Sequence, residues 1–462
     1  MNNYLSLFKA QQDNRWEISK STPAERILKL KKLKSEILRL REEIKLALHS
    51  DFKKPHAETE LTEIHTTIDE INFAIKHLKR WMKPKKVATP IALIGTSSEI
   101  HYEAKGVVLI LSPWNYPFSL MINPIVAAIA AGNCIIGKPS EKTPHTSEIL
   151  KNIIESVFPQ NEVAMILGGV EEARSLLELP FDHIFFTGSI SVGKKIMEAA
   201  AKNLTPVTLE LGGKSPVILD SNVDLEDAVL KIAWGKFING GQTCVAPDYV
   251  FVPEALKEQF ISQFKIQIEK FYGKTPEQRR NSPHFARLVD QGSFTRLKEK
   301  ISSEKLCLDD PMVESENYIA PTFFETNLNS PIMQDEIFGP ILPIISYKDI
   351  KEAISFIHSK TKPLSLYIFS NDKDFIKNIL QSTTSGGVAI NEVLLHLANP
   401  HLPFGGVGHS GLGSYHGHFG FKTFSHEKSV LRKNIFSFFH FYFPPYEGKV
   451  SRWAYRLLGF LE

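Results

Sequence analysis

The chain reads as an α/β protein built on parallel sheets, and three observations carry that reading. Short apolar runs alternate with helical patterns from Gly106 onward, the runs are apolar throughout, and unusual polar or Gly-rich segments follow directly where the runs end. Strands buried on both faces lose the alternation of a half-exposed sheet, and strands joined through helices run parallel. With 462 residues, the chain is long enough for two or three structural units.

The elements follow in order. From Ser21 to Ser50, Ile27, Leu28, Leu30, Leu33, Ile37, Leu40 and Ile44 fall at helical spacing with charges between them. A surface helix packed on its own domain has this pattern, and so does a partner-binding coiled coil. Lys83-Pro84-Lys85-Lys86 breaks it, and the β-prone stretch Ile91–Tyr102 predicts a hairpin. Val107–Leu111, Cys134–Gly137, Val163–Leu167, His183–Phe186 and Val207–Leu211 read as strands. Phe118–Ala131, Ser147–Val157, Glu171–Leu177 and Val192–Ala201 read as the helices between them. After Gly212-Gly213 the pattern restarts with strand Ser215–Leu219 and helix Leu225–Phe237. It continues through Leu364–Phe369 and Val388–Asn391, and the Gly-rich stretch Pro403–Gly413 closes this second unit.

Composition excludes several classes of function. Hydrophobic residues make up 43% and charged residues 23%, enough to bury a large core. A net charge of +3 from 54 basic and 51 acidic side chains leaves no footprint for nucleic acid. Three cysteines, Cys134, Cys244 and Cys307, cannot build a disulfide framework. They fit a reducing, cytoplasmic setting, and no secretion signal opens the chain. The apolar stretch Pro117–Gly137 is interrupted by Asn123, Pro124, Gly132 and Asn133, so it divides into a helix and a strand of a buried core instead of a membrane span.

Three residues stand out for covalent chemistry. Cys244 follows a pair of glycines in Asn239-Gly-Gly-Gln-Thr-Cys244, where the backbone can turn tightly and admit a ligand. It is a candidate nucleophile with a pKa lowered by local dipoles, or else a small buried hydrophobe. Cys134 and Cys307 lack such surroundings and read as structural. Asn115, in Ser112-Pro-Trp-Asn-Tyr-Pro117 after an apolar strand, is either a turn residue or an amide donor to an oxyanion, a role worth about 2.7–4 kcal/mol. Glu210, in Leu209-Glu-Leu-Gly-Gly-Lys214, ends a strand. A carboxylate there is costly to bury, which makes it a general base with a raised pKa or half of a buried salt bridge.

Other segments suggest a phosphate-bearing ligand. Phe186-Thr-Gly-Ser-Ile-Ser-Val-Gly193 runs from strand to helix, where backbone amides and the helix dipole favour phosphate. Ile190 nevertheless replaces the middle glycine of the dinucleotide fingerprint. Lys138 and Glu141, in Gly137-Lys-Pro-Ser-Glu141, can hold ribose hydroxyls or a phosphate, or pair with each other. Gln334-Asp-Glu-Ile-Phe-Gly-Pro340 sets a carboxylate and a ring before a turn. Pro403-Phe-Gly-Gly-Val-Gly-His-Ser-Gly-Leu-Gly413 lacks the lysine of a P-loop.

In this order the motifs PWNYP, GKPSE, FTGSISVG, LELGGKSP, GGQTC, EIFGP and PFGGVGHSG resemble those of the aldehyde dehydrogenase superfamily, and within it the dimeric class 3-like branch. The resemblance covers about Arg15 to Lys433. It implies a Rossmann-like parallel-sheet cofactor domain (residues 1–84 and 103–211) and an α/β catalytic domain (212–420). A small β bridging extension for oligomerisation (85–102 and 421–434) and a C-terminal tail (435–462) complete the chain. The activity implied is NAD- or NADP-dependent oxidation of aldehydes, medium- to long-chain or aromatic, to carboxylic acids.

Carried over residue by residue, the resemblance makes Cys244 the nucleophile, Asn115 with the Cys244 N–H the oxyanion donors, and Glu210 the base that activates water to hydrolyse a thioester. Lys138 and Glu141 would hold the adenosine ribose, and Gly188, Ser189 and Gly193 the pyrophosphate. Glu336 and Phe338 would hold the nicotinamide ribose, with Phe404 near the nicotinamide. No metal is implied. In this family the missing middle glycine is expected, because the dinucleotide lies differently from its pose in ordinary Rossmann domains. Tyr116 and Trp234 flank the catalytic segments and suit an apolar tunnel.

The resemblance also implies a homodimer. The aromatic tail (Phe436–Phe443 and Trp453–Leu461) is too short and interrupted to span a membrane. It suits packing on a partner subunit, or peripheral membrane contact. Three other activities remain to be weighed: a coenzyme A-acylating aldehyde dehydrogenase, a cofactor-independent cysteine esterase, and a binding protein that has lost catalysis. Glu210 argues against the first, and the lack of a histidine beside Cys244, Asn115 or Glu210 argues against the second.

Overall fold

The computed structural model describes residues 3–90, 93–308 and 310–434, together with positions 443, 444, 452 and 456. Its strands, in chain order, are β1 (Lys85–Val87), β2 (Thr96–Ala104), β3 (Val107–Leu111), β4 (Cys134–Lys138), β5 (Val163–Met165), β6 (His183–Thr187), β7 (Val207–Glu210) and β8 (Pro216–Leu219). Then come β9 (Tyr249–Pro253), β10 (Thr322–Glu325), β11 (Ile341–Tyr347), β12 (Ser365–Phe369), β13 (Gly387–Ile390), β14 (Gly411–Leu412) and β15 (Ser425–Lys433).

Among the described residues they form three sheets, ordered β14-β7-β6-β3-β4-β5, β10-β11-β9-β8-β12-β13 and β1-β2-β15. The second is parallel throughout. The first is parallel except at β14, which runs antiparallel to β7. Buried strands such as Val-Val-Leu-Ile-Leu (β3) are solvent-free along their whole length, as helices on both sheet faces require.

Register decides where chemistry can happen. Leu111 pairs with Lys138 and with Phe186, while Thr187 pairs with Glu210. The carboxyl ends of β3, β4, β6 and β7 therefore share one edge, where open parallel sheets bind ligands.

The apolar stretch after Pro117 forms the buried helix Ser119–Ala131 and then β4. Gly132 ends the helix at a left-handed φ of 88°, a conformation glycine adopts without strain. Arg26 caps that helix end by donating to the Ala130 carbonyl at 2.9 Å, and ties it to helix Leu5–Ser19 by donating to the Ser19 carbonyl at 2.8 Å. A cation at a helix C-terminus also complements the dipole. No described helix is long and apolar enough to cross a membrane.

Several boundaries differ from the pattern in the sequence. The helix expected over Ser21–Ser50 is two helices, Pro23–Arg39 and Arg41–Phe52, interrupted at Leu40 with φ −98° and ψ 21°. Both bury their apolar stripe against the rest of the chain, so the intramolecular reading of that stripe holds. Helix Thr66–Trp81 ends just before Lys83-Pro84, so the break stands, and the hairpin before β3 uses Lys85–Val87 as its first strand, paired with Ile100–Ser98. Residues 91 and 92 lie outside the described residues. The late strand starts at Ser425, because residues 417–423 form a helix. The Gly-rich stretch does not close the second sheet: Gly411 and Leu412 pair with Glu210 and Leu209 of the first. The tail's two aromatic segments lie almost wholly outside the described residues.

Candidate active site

The site forms where the first sheet hands the chain to the second. Glu210 is the last residue of β7, and Leu211 to Ser215 lead directly into β8. Cys244 arrives from the other side. Helix Leu225–Phe237, capped by Asp224, ends at a tight turn in which Asn239, Gly240 and Gly241 all have left-handed φ values, 56°, 61° and 74°. Glycine takes that conformation freely and asparagine tolerates it. The same turn brings Gly241 against the Gly339 carbonyl, leaving no room for a Cβ. Cys244, three residues on, is partly exposed and unpaired, as are Cys134 (buried) and Cys307.

Asn115 is buried, and its neighbours fix its side-chain amide. Nδ2 donates to the Gln242 carbonyl at 2.9 Å, while the Asn115 carbonyl accepts from Asn239 Nδ2 at 2.8 Å. An amide nitrogen carries two hydrogens. One is spent on Gln242, and the other has no partner among the described residues. Gln242 is itself anchored at both ends. Its Nε2 donates to the Asn239 and Arg287 carbonyls, each at 3.0 Å, and its Oε1 accepts from the Val289 N–H at 2.9 Å. Tyr116 and Thr243, neighbours of Asn115 and Cys244, share a hydroxyl–hydroxyl bond of 2.6 Å.

Glu210 is buried, and neither carboxylate oxygen has a hydrogen-bond partner. The salt-bridge alternative is thus not realised among the described residues. Burial pushes its pKa well above the ordinary value. Glu336 is pushed up to about 8, first by burial and then by Asp248. Gly212 faces that carboxylate, and a Cβ there would overlap it.

Cys244 corrects the expectation of a lowered thiol pKa. Burial, then the charges of Glu336 and Glu210, push it up to about 12, outweighing the Cys244 and Val245 backbone amides. With its pKa raised, the thiol is favoured over the thiolate. Cys134 is likewise pushed up to about 12 and Cys307 is raised, both chiefly by burial.

Along the first-sheet edge lie the expected ligand-holding residues. Lys138 ends β4, buried, with Nζ donating to the Pro139 carbonyl at 3.1 Å and to Glu141 at 3.3 Å. Glu141's side chain is 46% exposed, so the pair has one open face. Gly188 follows β6 and donates its N–H to the Glu210 carbonyl at 3.0 Å. Ser189 caps helix Ile190–Ala201, whose buried Gly193 packs against Leu211. Phe338, at φ 52°, meets Trp114 edge-on at 5.4 Å between centroids. Phe404 packs on Tyr415, 5.9 Å away, and Tyr415 feels the charges of both Glu210 and Cys244.

Whether a dinucleotide fits can be judged from the orphaned polar atoms. Ser112 Oγ, Thr187 Oγ1 and both Glu210 oxygens are buried without partners, all at the carboxyl edge of one sheet. Buried polar atoms are nearly always satisfied in a finished protein, so this edge suits a polar ligand. A helix N-terminus for phosphate and the Lys138–Glu141 pair for a ribose complete a set that fits NAD or NADP.

The sequence reading passed over Asn239 and Gln242. Both lay inside a quoted motif, and the signal for them was an amide on each side of the two glycines. It also passed over Lys54, Glu58 and Glu63, which resemble solvated surface charges in the sequence; Lys54 and Glu63 are buried beneath the site, and half-buried Glu58 accepts the Asn239 N–H.

Residues 6–430 match the aldehyde dehydrogenase family. The 4,4'-diaponeurosporen-aldehyde dehydrogenase of Staphylococcus aureus is 46% identical over 423 residues, 91% of this chain and 92% of that protein. The dimeric NADP-preferring aldehyde dehydrogenase of Rattus norvegicus is 44% identical over 411 residues, 89% of this chain and 90% of that protein. The substrate-bound structure of Staphylococcus aureus AldH superposes with a TM-score of 0.95 at 43% identity, covering 99% of this chain and 100% of that one.

Proposed function

The chain belongs to the aldehyde dehydrogenase family, and on that premise we propose how its residues carry out NAD(P)-dependent oxidation of an aldehyde to a carboxylic acid. The thiol of Cys244 loses its proton to a neighbouring carboxylate, and the sulfur attacks the aldehyde carbon. The carbonyl oxygen becomes an oxyanion, held by the uncommitted N–H of Asn115 and the backbone N–H of Cys244. A bound NAD(P)+ would supply the hydride acceptor that converts the thiohemiacetal on Cys244 into a thioester. Glu210 then takes a proton from water, whose oxygen attacks the thioester carbon. The acid leaves and the cysteine sulfur is regenerated.

One observation carries the reading. Glu210 is a buried carboxyl with no hydrogen-bond partner among the described residues, and its charge acts on Cys244. A carboxyl kept unpaired in an apolar setting is a base poised to hold a proton. Hydrolysis of the thioester, not its transfer to coenzyme A, follows from that residue.

The cofactor residues are assigned on the same basis. Lys138 and Glu141 would hold the adenosine ribose, Gly188, Ser189 and Gly193 the pyrophosphate, and Glu336 and Phe338 the nicotinamide ribose, with Phe404 alongside. Glu141 suits the free hydroxyls of NAD, and Lys138 suits the 2′-phosphate of NADP. The domain division is residues 1–84 and 103–211 for cofactor, 212–420 for catalysis, 85–102 and 421–434 for bridging, and 435–462 as tail.

The substrates we infer are medium- to long-chain or aromatic aldehydes. Half-buried Tyr116 and Trp234, the latter 37% exposed, offer an apolar approach to Cys244, and the Staphylococcus aureus relative is named for a diaponeurosporen-aldehyde. A homodimer is supported by β15, a nine-residue edge strand whose outer side is largely exposed. Native proteins seldom leave such an edge uncovered. Three unpaired cysteines support a cytoplasmic setting. The test is an aldehyde panel with NAD and NADP in parallel. Activity should rise with chain length; silence across the panel despite cofactor binding would refute this reading.

A further inference from the structure

Beneath the two loops that carry Asn115 and Cys244 lies a buried cluster of charges that the reaction does not use. Lys54 and Glu63 are both fully buried, and Lys54 Nζ meets Glu63 Oε1 at 2.7 Å. The other oxygen, Glu63 Oε2, accepts the Ser119 N–H at 2.8 Å, in the first turn of the helix that follows Asn115. Lys54 Nζ also stands 3.9 Å above the centre of the Tyr116 ring. Tyr116 in turn reaches Thr243. A third member, Glu58, accepts the Asn239 N–H at 2.8 Å, and burial pushes its carboxyl up to about 7. The stretch bearing Glu63 is a π-helical turn, Glu60–His65. Such turns are uncommon and gather at functional sites.

An ion pair taken wholly out of water is weak evidence of stability, since apolar residues of the same volume often do as well. Here the pair grips the chain directly after Asn115 at two points, the Tyr116 ring and the Ser119 amide. We propose that Lys54 and Glu63 are positioning residues that hold the Asn115 amide at the oxyanion of the substrate. Cation–π attraction fixes the ring next to Asn115, and the charge-assisted bond to Ser119 fixes the helix start. The chain leaving Asn115 is thereby held at its first residue and at the helix start, and a displacement of about 1 Å in such a donor costs on the order of a hundredfold in rate.

This proposal rests on Asn115 being the oxyanion donor, and a double-mutant cycle separates the two claims. The variant Lys54→Met/Glu63→Gln removes both charges at similar volume. It should lower kcat tenfold or more for both aldehyde oxidation and cofactor-free ester hydrolysis, with the Kd for NAD(P)H unchanged. In an Asn115→Ala background the same pair of substitutions should cost less than twofold, because the group they orient is gone. A loss equally large in that background overturns the proposal, and so does an unchanged kcat in the parent. If Asn115→Ala alone leaves turnover intact, the oxyanion assignment itself fails and takes the proposal with it. Lys54→Arg keeps the cation over Tyr116 and should restore most of the rate. If it is as slow as the charge-free pair while melting at the parent temperature, charge is not what positions Asn115. Should the double variant not fold, Glu63→Gln alone, which keeps an acceptor for Ser119, is carried through the same cycle with the same outcomes.

Discussion

Gly241 presses against the Gly339 carbonyl so closely that a Cβ at position 241 would overlap the oxygen. The turn before Cys244 and the loop after Glu336 are therefore in backbone contact. Gly241→Ala meets both a left-handed φ of 74° and a backbone neighbour that cannot rotate away. The φ alone costs about 1–3 kcal/mol. Thermal denaturation should show a lower Tm, and kcat should fall by about a hundredfold. Parent-like values for both would mean that the two loops adjust freely.

Glu210→Gln should separate stability from activity. A carboxyl whose pKa is raised above its ordinary 4.5 binds more protons folded than unfolded. It therefore costs stability as pH rises from the unfolded value toward the folded one. Glutamine removes that cost, and Tm at pH 8 should rise by roughly 2 °C. Steady-state turnover should fall by about 10²- to 10⁴-fold after a burst of NADH, as the thioester accumulates. In the parent, hydrolysis should weaken as pH falls and Glu210 takes up a proton. An unchanged burst and steady state would remove Glu210 as the base.

The Cys244 thiol, pushed up to about 12, should alkylate slowly at neutral pH. Iodoacetamide labelling of the Cys244 peptide, followed by mass spectrometry, should speed up by about tenfold per pH unit between pH 7 and 9. A rate already level at pH 7 would mean an activated thiolate. Cys244→Ala should abolish aldehyde oxidation while leaving NAD(P)H binding unchanged, and residual turnover would reassign the nucleophile.

At the carboxyl edge of the first sheet, Glu141→Gln frees Lys138 from its 3.3 Å partner and removes a negative charge from the proposed adenosine-ribose site. The KM for NADP should drop by about three- to tenfold while that for NAD rises or holds. Initial-rate measurements with the two cofactors decide it. Equal shifts for both would place the pair away from the 2′ position.

What the sequence could reveal depended on how locally each feature is determined. Val107–Leu111 and Leu225–Phe237 match their predicted limits because an unbroken apolar run and an Asp224 cap before a glycine turn are self-contained signals. Helix Leu5–Ser19 escaped notice because its apolar stripe is weak and its buried face includes Gln11, which donates to the Ile135 and Gln160 carbonyls. The break at Leu40 is invisible because the apolar spacing runs straight across it. Pairing of Gly411 with Glu210 links residues two hundred positions apart, beyond any periodicity.

The same division holds in the site. Cys244, Asn115 and Glu210 announce themselves through motif order. The thiol's pKa runs opposite to expectation because burial, and after it the charges of Glu336 and Glu210, reach it only through tertiary packing. Lys54, Glu58 and Glu63 alternate with other polar residues as on any solvated helix, and only the seating of Tyr116 and Asn239 over them turns them into interior charges.

The return of the chain to β7 also bears on how the protein can be cut. After leaving the first sheet at Glu210 and building the second, the polypeptide comes back to lay Gly411 and Leu412 along β7. A chain ending before residue 411 would keep most of both sheets yet strip the cover from β7, leaving its peptide groups open to a strand from another molecule. Such a fragment should associate edge to edge in solution, and the strand exposed to recruitment would be the one that ends in Glu210.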